Sequence, residues 1–207
     1  MAFNNFIIRS IISISLLIFY LLIYIYEKDY IIYFVFLIYL LILLEVSFYF
    51  NKFRFLIILY LLISLTSVVY TNLISENILI FNLLLVTIIS FDIFSYLVGS
   101  KFGKNKILKN ISPNKTLEGL VGGITFSIIS SSTYSFFVKI KLNSELYIVL
   151  VIIIFLSFAG DITESFFKRK NKLKNSSNYL PGHGGFFDRF DGFVLSILPF
   201  SYYCAIL

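Results

Sequence analysis

Four acidic residues have the type and spacing to hold a hard metal cation: Asp161 with Glu164 and Asp188 with Asp191, each pair three positions apart. At about 100° per residue, Asp161, Glu164, Ser165 and Lys168 fall within an arc of about 100°, so a helix through them presents one polar face. Asp188 and Asp191 share a face in the same way if their segment is helical. Carboxylates gathered at low dielectric repel one another, and without a cation at least one takes up a proton. A divalent cation resolves that conflict. An oxygen-only donor set suits Mg²⁺, which keeps waters and takes phosphate oxygens as further ligands. The competing reading is an interfacial ion-pair network in which Lys168, Arg169 and Arg189 neutralise the acids.

The segment joining the two pairs runs Lys168-Arg169-Lys170-Asn171-Lys172-Leu173-Lys174 and then Leu180-Pro181-Gly182-His183-Gly184-Gly185. Dense cations beside glycines, whose backbone N–H groups can approach a ligand closely, would cradle a polyphosphate. A basic loop that merely sets membrane orientation has the same charge. Upstream, Asp92 and Tyr96 stand one turn apart, followed by Gly99, Phe102-Gly103-Lys104 and Ser112-Pro113-Asn114-Lys115-Thr116-Leu117-Glu118-Gly119. Ser112 and Pro113 read as N-cap and first-turn residues, so a helix is expected to begin there with N–H groups free for an anion. Gly122-Gly123 would allow close helix packing just beyond. This is no Walker loop, because the glycine spacing is wrong and Asn105 stands where Ser or Thr is needed. Glu45, alone in an apolar run, is expected to be a hydrogen-bonded side chain or a helix contact and is given no chemical role.

These residues need elements to position them, and the composition says of what kind. Of 207 residues 59% are hydrophobic and 14% charged, a balance that suits neither a soluble globule nor a disordered chain. Apolar runs near 20 residues, the length that crosses a bilayer as helix, occur at about 6–26, 30–50, 55–70, 78–98, 120–138, 146–164 and 186–207. The expected fold is an all-α polytopic membrane protein of about seven transmembrane helices. The runs are continuously apolar and do not alternate as barrel strands do. The first is too long for a signal peptide and has no small-x-small site after it, so it reads as an anchor.

Fourteen of the 17 basic residues then fall on one side, with only Lys28, Lys139 and Lys141 on the other. The positive-inside rule makes the basic loops cytoplasmic, and the expected location is the plasma (inner) membrane with the active site on its cytoplasmic side. The net charge of +6 faces anionic lipid, and nucleic acid is not an expected partner. One cysteine, Cys204, and one histidine, His183, exclude a disulfide framework and a multi-histidine zinc site within the chain. No internal repeat is visible. The polar residues concentrate from Asp92 onward, which divides the chain into an N-terminal scaffold over 1–90 and a working region over 91–207. An ion carrier would place its acids near mid-membrane, whereas these lie at the cytoplasmic ends of the spans.

The run Gly160-Asp161-Ile162-Thr163-Glu164-Ser165-Phe166-Phe167-Lys168-Arg169, then Lys174, then Leu180 to Asp191 resembles the signature of the phosphatidate cytidylyltransferase (CDP-diglyceride synthetase) family. Asp92 to Gly99 and Ser112 to Gly119 resemble a second block, so the resemblance covers about 92–192. It implies transfer of a cytidylyl group from CTP to phosphatidate in the bilayer, releasing pyrophosphate, with Mg²⁺ alone or with a second cation. On that resemblance Asp161, Asp188 and Asp191 are the metal ligands and Glu164 orients them. Lys168, Arg169 and Arg189 neutralise phosphates. Asp92, Ser112, Lys115, Thr116, Glu118, Lys174, His183, Gly184 and Gly185 bind nucleotide or lipid headgroup. The chain departs from the pattern at Asn175, where the family commonly has Asp, and at Ser95, where Ala is usual. It is also shorter than many members. A homodimer, and a related CTP-dependent enzyme acting on another lipid phosphate or a polyprenol, stay open.

Overall fold

The computed structural model describes residue 15 and residues 18–27, 30–71, 78–108, 111–180 and 184–206. The elements are α1 (18–26), α2 (Ile31–Tyr49), α3 (Arg54–Tyr70), α4 (Ile78–Phe102), β1 (Lys106–Leu108), β2 (Ser112–Thr116), α5 (Leu117–Val138), α6 (Ser144–Lys170) and α7 (Phe187–Ile206). By length and composition α2, α4, α5 and α6 suffice to cross a membrane, while α3 is apolar but shorter, at 17 residues. Large apolar side chains such as Phe55, Phe136 and Phe137 are exposed, as suits a surface wetted by hydrocarbon. Two helices outrun their apolar windows, α4 to Phe102 and α6 to Lys170. The three cations in the last turn of α6, Lys168, Arg169 and Lys170, lie where the helix dipole favours positive charge.

The chain forms two compact units. One comprises Met1–Glu76 with Phe167–Phe190, the other Asn77–Phe166 with Asp191–Leu207, so α6 and α7 each contribute to both.

In the first unit α2 packs on α3, with the Tyr39 hydroxyl meeting that of Ser64 in the buried contact. The turn between these helices is held by two side chains, Asn171 and Arg54, the latter donating to the Phe50 carbonyl at 2.7 Å and to Asn51 Oδ1 at 2.9 Å. Asn171 Oδ1 accepts from the backbone N–H of Asn51 (2.9 Å) and Lys52 (2.7 Å), and Asn171 Nδ2 donates to the Lys52 carbonyl at 3.0 Å. Edge-to-face contacts of Phe50 with Phe187 and Tyr49 with Tyr179 close the unit beside it.

In the second unit α5 turns a stripe of small residues, Gly119, Gly123, Ser127, Ser131 and Ser135, into the interior at a spacing of one turn. Small side chains let two helix backbones approach where apolar lipid gives no hydrophobic drive to associate. A Cβ at Gly119 would lie 2.7 Å from the Ser95 carbonyl oxygen of α4, and one at Gly123 would lie 2.9 Å from Phe91 and Ser95. Farther along, the Thr87 and Ser131 hydroxyls are hydrogen-bonded at 2.8 Å.

The antiparallel hairpin β1–β2 corrects the expectation of a helix starting at Ser112. Ser112 pairs with Leu108 and Thr116 with Lys106, and the helix begins five residues later, at Leu117. Thr116 supplies the cap, accepting from Gly119 N–H at 3.2 Å. Glu118 binds back to the chain entering the hairpin, accepting from Lys104 N–H at 3.0 Å and from Asn105 Nδ2 at 2.8 Å. The strand residues Ser112 and Pro113 therefore offer no helix N-terminus.

Candidate active site

In the second unit α6 and α7 meet through missing side chains. A Cβ at Gly160 would collide with the Asp191 carbonyl oxygen, and one at Gly192 would lie 2.5 Å from Ser157 Oγ. This backbone-to-backbone joint sets Asp161 and Glu164 of α6 against Asp191 of α7. A ligand oxygen from each of the three lies within 4.8 Å of the others. Glu164 is 1% exposed, whereas the Asp161 side chain is 39% exposed, so the cluster runs from the interior to an open edge.

At that spacing each pair of charges repels by about 3 kcal/mol for an effective dielectric near 20. Lys115, from β2, answers part of it. Its Nζ lies 2.6 Å from Asp161 Oδ2 and 4.3 Å from the centre of the Phe158 ring, and donates to the Phe158 carbonyl at 3.4 Å. Asp161 Oδ1 accepts from Ser165 Oγ at 3.4 Å, and Asp191 Oδ1 accepts from Gly192 N–H at 2.8 Å. Asp92, Ser95, Lys115, Thr116 and Asp161 line a small cleft of about 40 Å³ at this edge, together with Phe91 and Phe158. Three carboxylates carried on two rigid helices, with no nitrogen or sulfur ligand among them, fit a hard divalent cation such as Mg²⁺.

Asp188 is placed differently. In the first unit its Oδ1 takes the Lys168 ammonium at 2.6 Å, and its Oδ2 accepts from Ser176 N–H (2.8 Å), Ser176 Oγ (2.7 Å) and Gly185 N–H (2.9 Å). The carboxylate is thus consumed by the loop that precedes it. That loop is pinched by the Leu180 N–H to Gly184 carbonyl bond at 2.9 Å, with Gly184 at a positive φ of 87°. Asp188 is outside the three-carboxylate group, which instead includes Glu164, a residue the sequence reading expected only to orient the ligands. Lys168 belongs to the same arrangement. Arg169 donates to the Leu173 carbonyl at 3.2 Å, and Arg169, Lys174 and Arg189 are exposed. His183 lies outside the described residues.

Of the residues expected to bind substrate, Asp92, Lys115 and Thr116 are brought to the cleft, whereas Glu118 is bonded to the hairpin and Ser112 sits half-buried in β2. Sequence reasoning missed Phe158, which looked like one more apolar residue of a span, and Asn171, hidden in a basic run. It noticed Glu45 without a partner. In the structure Glu45 Oε2 accepts from Phe186 N–H at 2.8 Å and Phe187 N–H at 3.4 Å.

A cytidylyltransferase family model matches residues 2–207. A phosphatidate cytidylyltransferase of Bacillus subtilis is 38% identical over 118 residues, covering 56% of this chain and 43% of that protein. Those of Staphylococcus haemolyticus and Staphylococcus saprophyticus are 44% and 45% identical over 111 residues, covering 52% of this chain and 42% of theirs. The aligned part is thus less than half of the length of each of these relatives.

Proposed function

The chain belongs to the cytidylyltransferase family, and from that premise we propose that it joins phosphatidate to CTP, forming CDP-diacylglycerol and pyrophosphate in the membrane. It is a mostly helical integral membrane protein. Seven spans, the inner membrane and a cytoplasmic active site complete the reading, supported by the apolar runs and the distribution of basic residues. The observation that carries the chemistry is the gathering of Asp161, Glu164 and Asp191 beside Lys115.

Phosphatidate brings its own nucleophile. A phosphate oxygen of the lipid attacks the α-phosphorus of CTP, one P–O bond forms, and the bond to the β-phosphate breaks with its electron pair leaving on pyrophosphate. No serine, cysteine or histidine nucleophile is required. The protein's work is to position two anions and offset their charge. Asp161, Glu164 and Asp191 would hold Mg²⁺, with or without a second cation, and the ion when bound supplies neutralisation and polarisation of phosphate oxygens. Lys115 holds a positive charge at the open edge of the cluster, stacked on Phe158, where an incoming phosphate meets it. Arg169, Lys174 and Arg189, all exposed, are the further groups for polyphosphate or headgroup. Asp188 and Lys168 keep their loop in shape.

The test is the purified protein in lipid, given labelled CTP and a series of lipid phosphates, with Mg²⁺ titrated against chelator. Metal-dependent CMP transfer to phosphatidate with equimolar pyrophosphate is expected. Phosphorylation of a lipid alcohol, or unchanged turnover after chelation, overturns the reading. Cross-linking of the same preparation reads out a homodimer.

A further inference from the structure

Lys115 is held from three sides. Its ammonium lies 2.6 Å from Asp161 Oδ2 and 4.3 Å from the centre of the Phe158 ring, and it donates to the Phe158 carbonyl at 3.4 Å. The backbone that carries it is fixed as well. Thr116, the next residue, caps α5 through Gly119 N–H and pairs with Lys106 across the hairpin. A Cβ added at Gly99 or Gly103 would lie 3.1 or 2.7 Å from the Thr116 side chain, so the end of α4 packs directly on it.

Two claims therefore meet on Asp161. It is one of the three carboxylates that fit a divalent cation, and an ammonium lies on one of its oxygens. Its other oxygen receives Ser165 Oγ at 3.4 Å. A divalent ion arriving alone shares Asp161 with a charge of its own sign, which an aromatic face and a carbonyl keep in place. Like charges at contact range oppose each other most where water is scarce, and the Lys115 side chain is only 16% exposed. An oxyanion removes the conflict, because one phosphate group accepts from the ammonium while its other oxygens face the ion.

We propose that Lys115 couples the cation to a phosphate group: it competes with the ion for Asp161 until a phosphate takes the ammonium over, so that metal and phosphate bind tightly only together. The inference rests on the reading that Asp161, Glu164 and Asp191 hold a divalent cation and that the site takes a phosphate. The phosphate is that of the lipid or of the nucleotide, and the two are separated by the measurement.

Mn²⁺ binding is followed by electron paramagnetic resonance, at buffered free ion, on the whole chain in phosphatidylcholine nanodiscs. Wild type, Lys115→Met and Lys115→Arg are each measured alone, with dioctanoyl phosphatidate, and with a CTP analogue whose α,β-methylene bridge prevents transfer. Nanodiscs without protein give the Mn²⁺ taken up by the probes themselves. In the wild type the phosphate that Lys115 meets should tighten Mn²⁺ binding at least about 30-fold, and the probe with the larger gain identifies it. Lys115→Met should bind Mn²⁺ alone about 10-fold more tightly than the wild type, with the gain from the probe reduced to about 3-fold. Lys115→Arg keeps the charge and should follow the wild type. Mn²⁺ alone bound no more tightly by Lys115→Met overturns the proposal, as does a wild type that gains nothing from either probe. An equal gain in wild type and Lys115→Met overturns it too, and is the result expected if Lys115 turns instead to Asp92, which lines the same cleft. If the coupling is found but the wild type transfers no CMP to phosphatidate, the proposed function falls and the role of Lys115 stands.

Discussion

The acids of the two units are used in opposite ways. In the first, Glu45 and Asp188 are each taken up by backbone N–H groups, and Asp188 also holds a lysine. In the second, Asp161, Glu164 and Asp191 are turned toward one another, with Lys115 on the outermost. A carboxylate whose lone pairs already receive donors shapes the chain, whereas carboxylates that face each other create a demand for a cation. Asp188 and Asp191 are separated by less than one helical turn and still fall on opposite sides of this distinction. Shared motif membership does not give shared work.

The contrast predicts a graded series. Asp191→Asn should have the largest effect, with turnover down at least about 10³-fold and Mn²⁺ binding, followed by electron paramagnetic resonance, weakened at least about 10-fold while the protein stays folded. Gly160→Val should come next. Its side chain has nowhere to go but into the Asp191 backbone, so activity should fall about 10²-fold together with Mn²⁺ affinity. Asp188→Asn breaks the comparison most directly if it is wrong. The change removes a charge-assisted bond to Lys168 and weakens the loop by about 2 kcal/mol, so a lower unfolding midpoint and about 30-fold less activity are expected with Mn²⁺ affinity intact. Mn²⁺ affinity lost in folded Asp188→Asn would place Asp188 among the ligands after all. Lys115→Met should be mildest, lowering turnover about 10-fold and tightening Mn²⁺ binding, since a competing cation leaves Asp161.

Much of this was legible in advance, and the reasons differ by feature. The apolar windows locate α2 through α7 within a few residues because hydrocarbon tolerates only segments whose backbone is internally bonded. The shared face of Asp161 and Glu164 follows from helical periodicity alone. The hairpin was not legible: Ser112-Pro113 is as good a helix start as Thr116, and only the pairing of Leu108 with Ser112, a contact across a turn, decides between them. The fates of Asp188 and Asp191 were not legible either. Spacing says which residues share a helix face, but the donors that satisfy Asp188 come from Ser176 and Gly185, and their arrival depends on how the loop closes. Glu45 was conspicuous as a charge in an apolar span, yet its partners lie 141 and 142 positions away.

The joint at Ser157, Gly160 and Gly192 has a consequence for what sequences this architecture can accept. Contacts between side chains can be renegotiated by trading volume from one partner to the other, and a core drifts that way without losing its shape. Main chain resting on main chain has no volume to trade. That holds at Gly160, where the Asp191 carbonyl fills the place of a Cβ and the permitted alphabet shrinks to one letter, whereas Gly192 rests on the Ser157 side chain and shares its space with it.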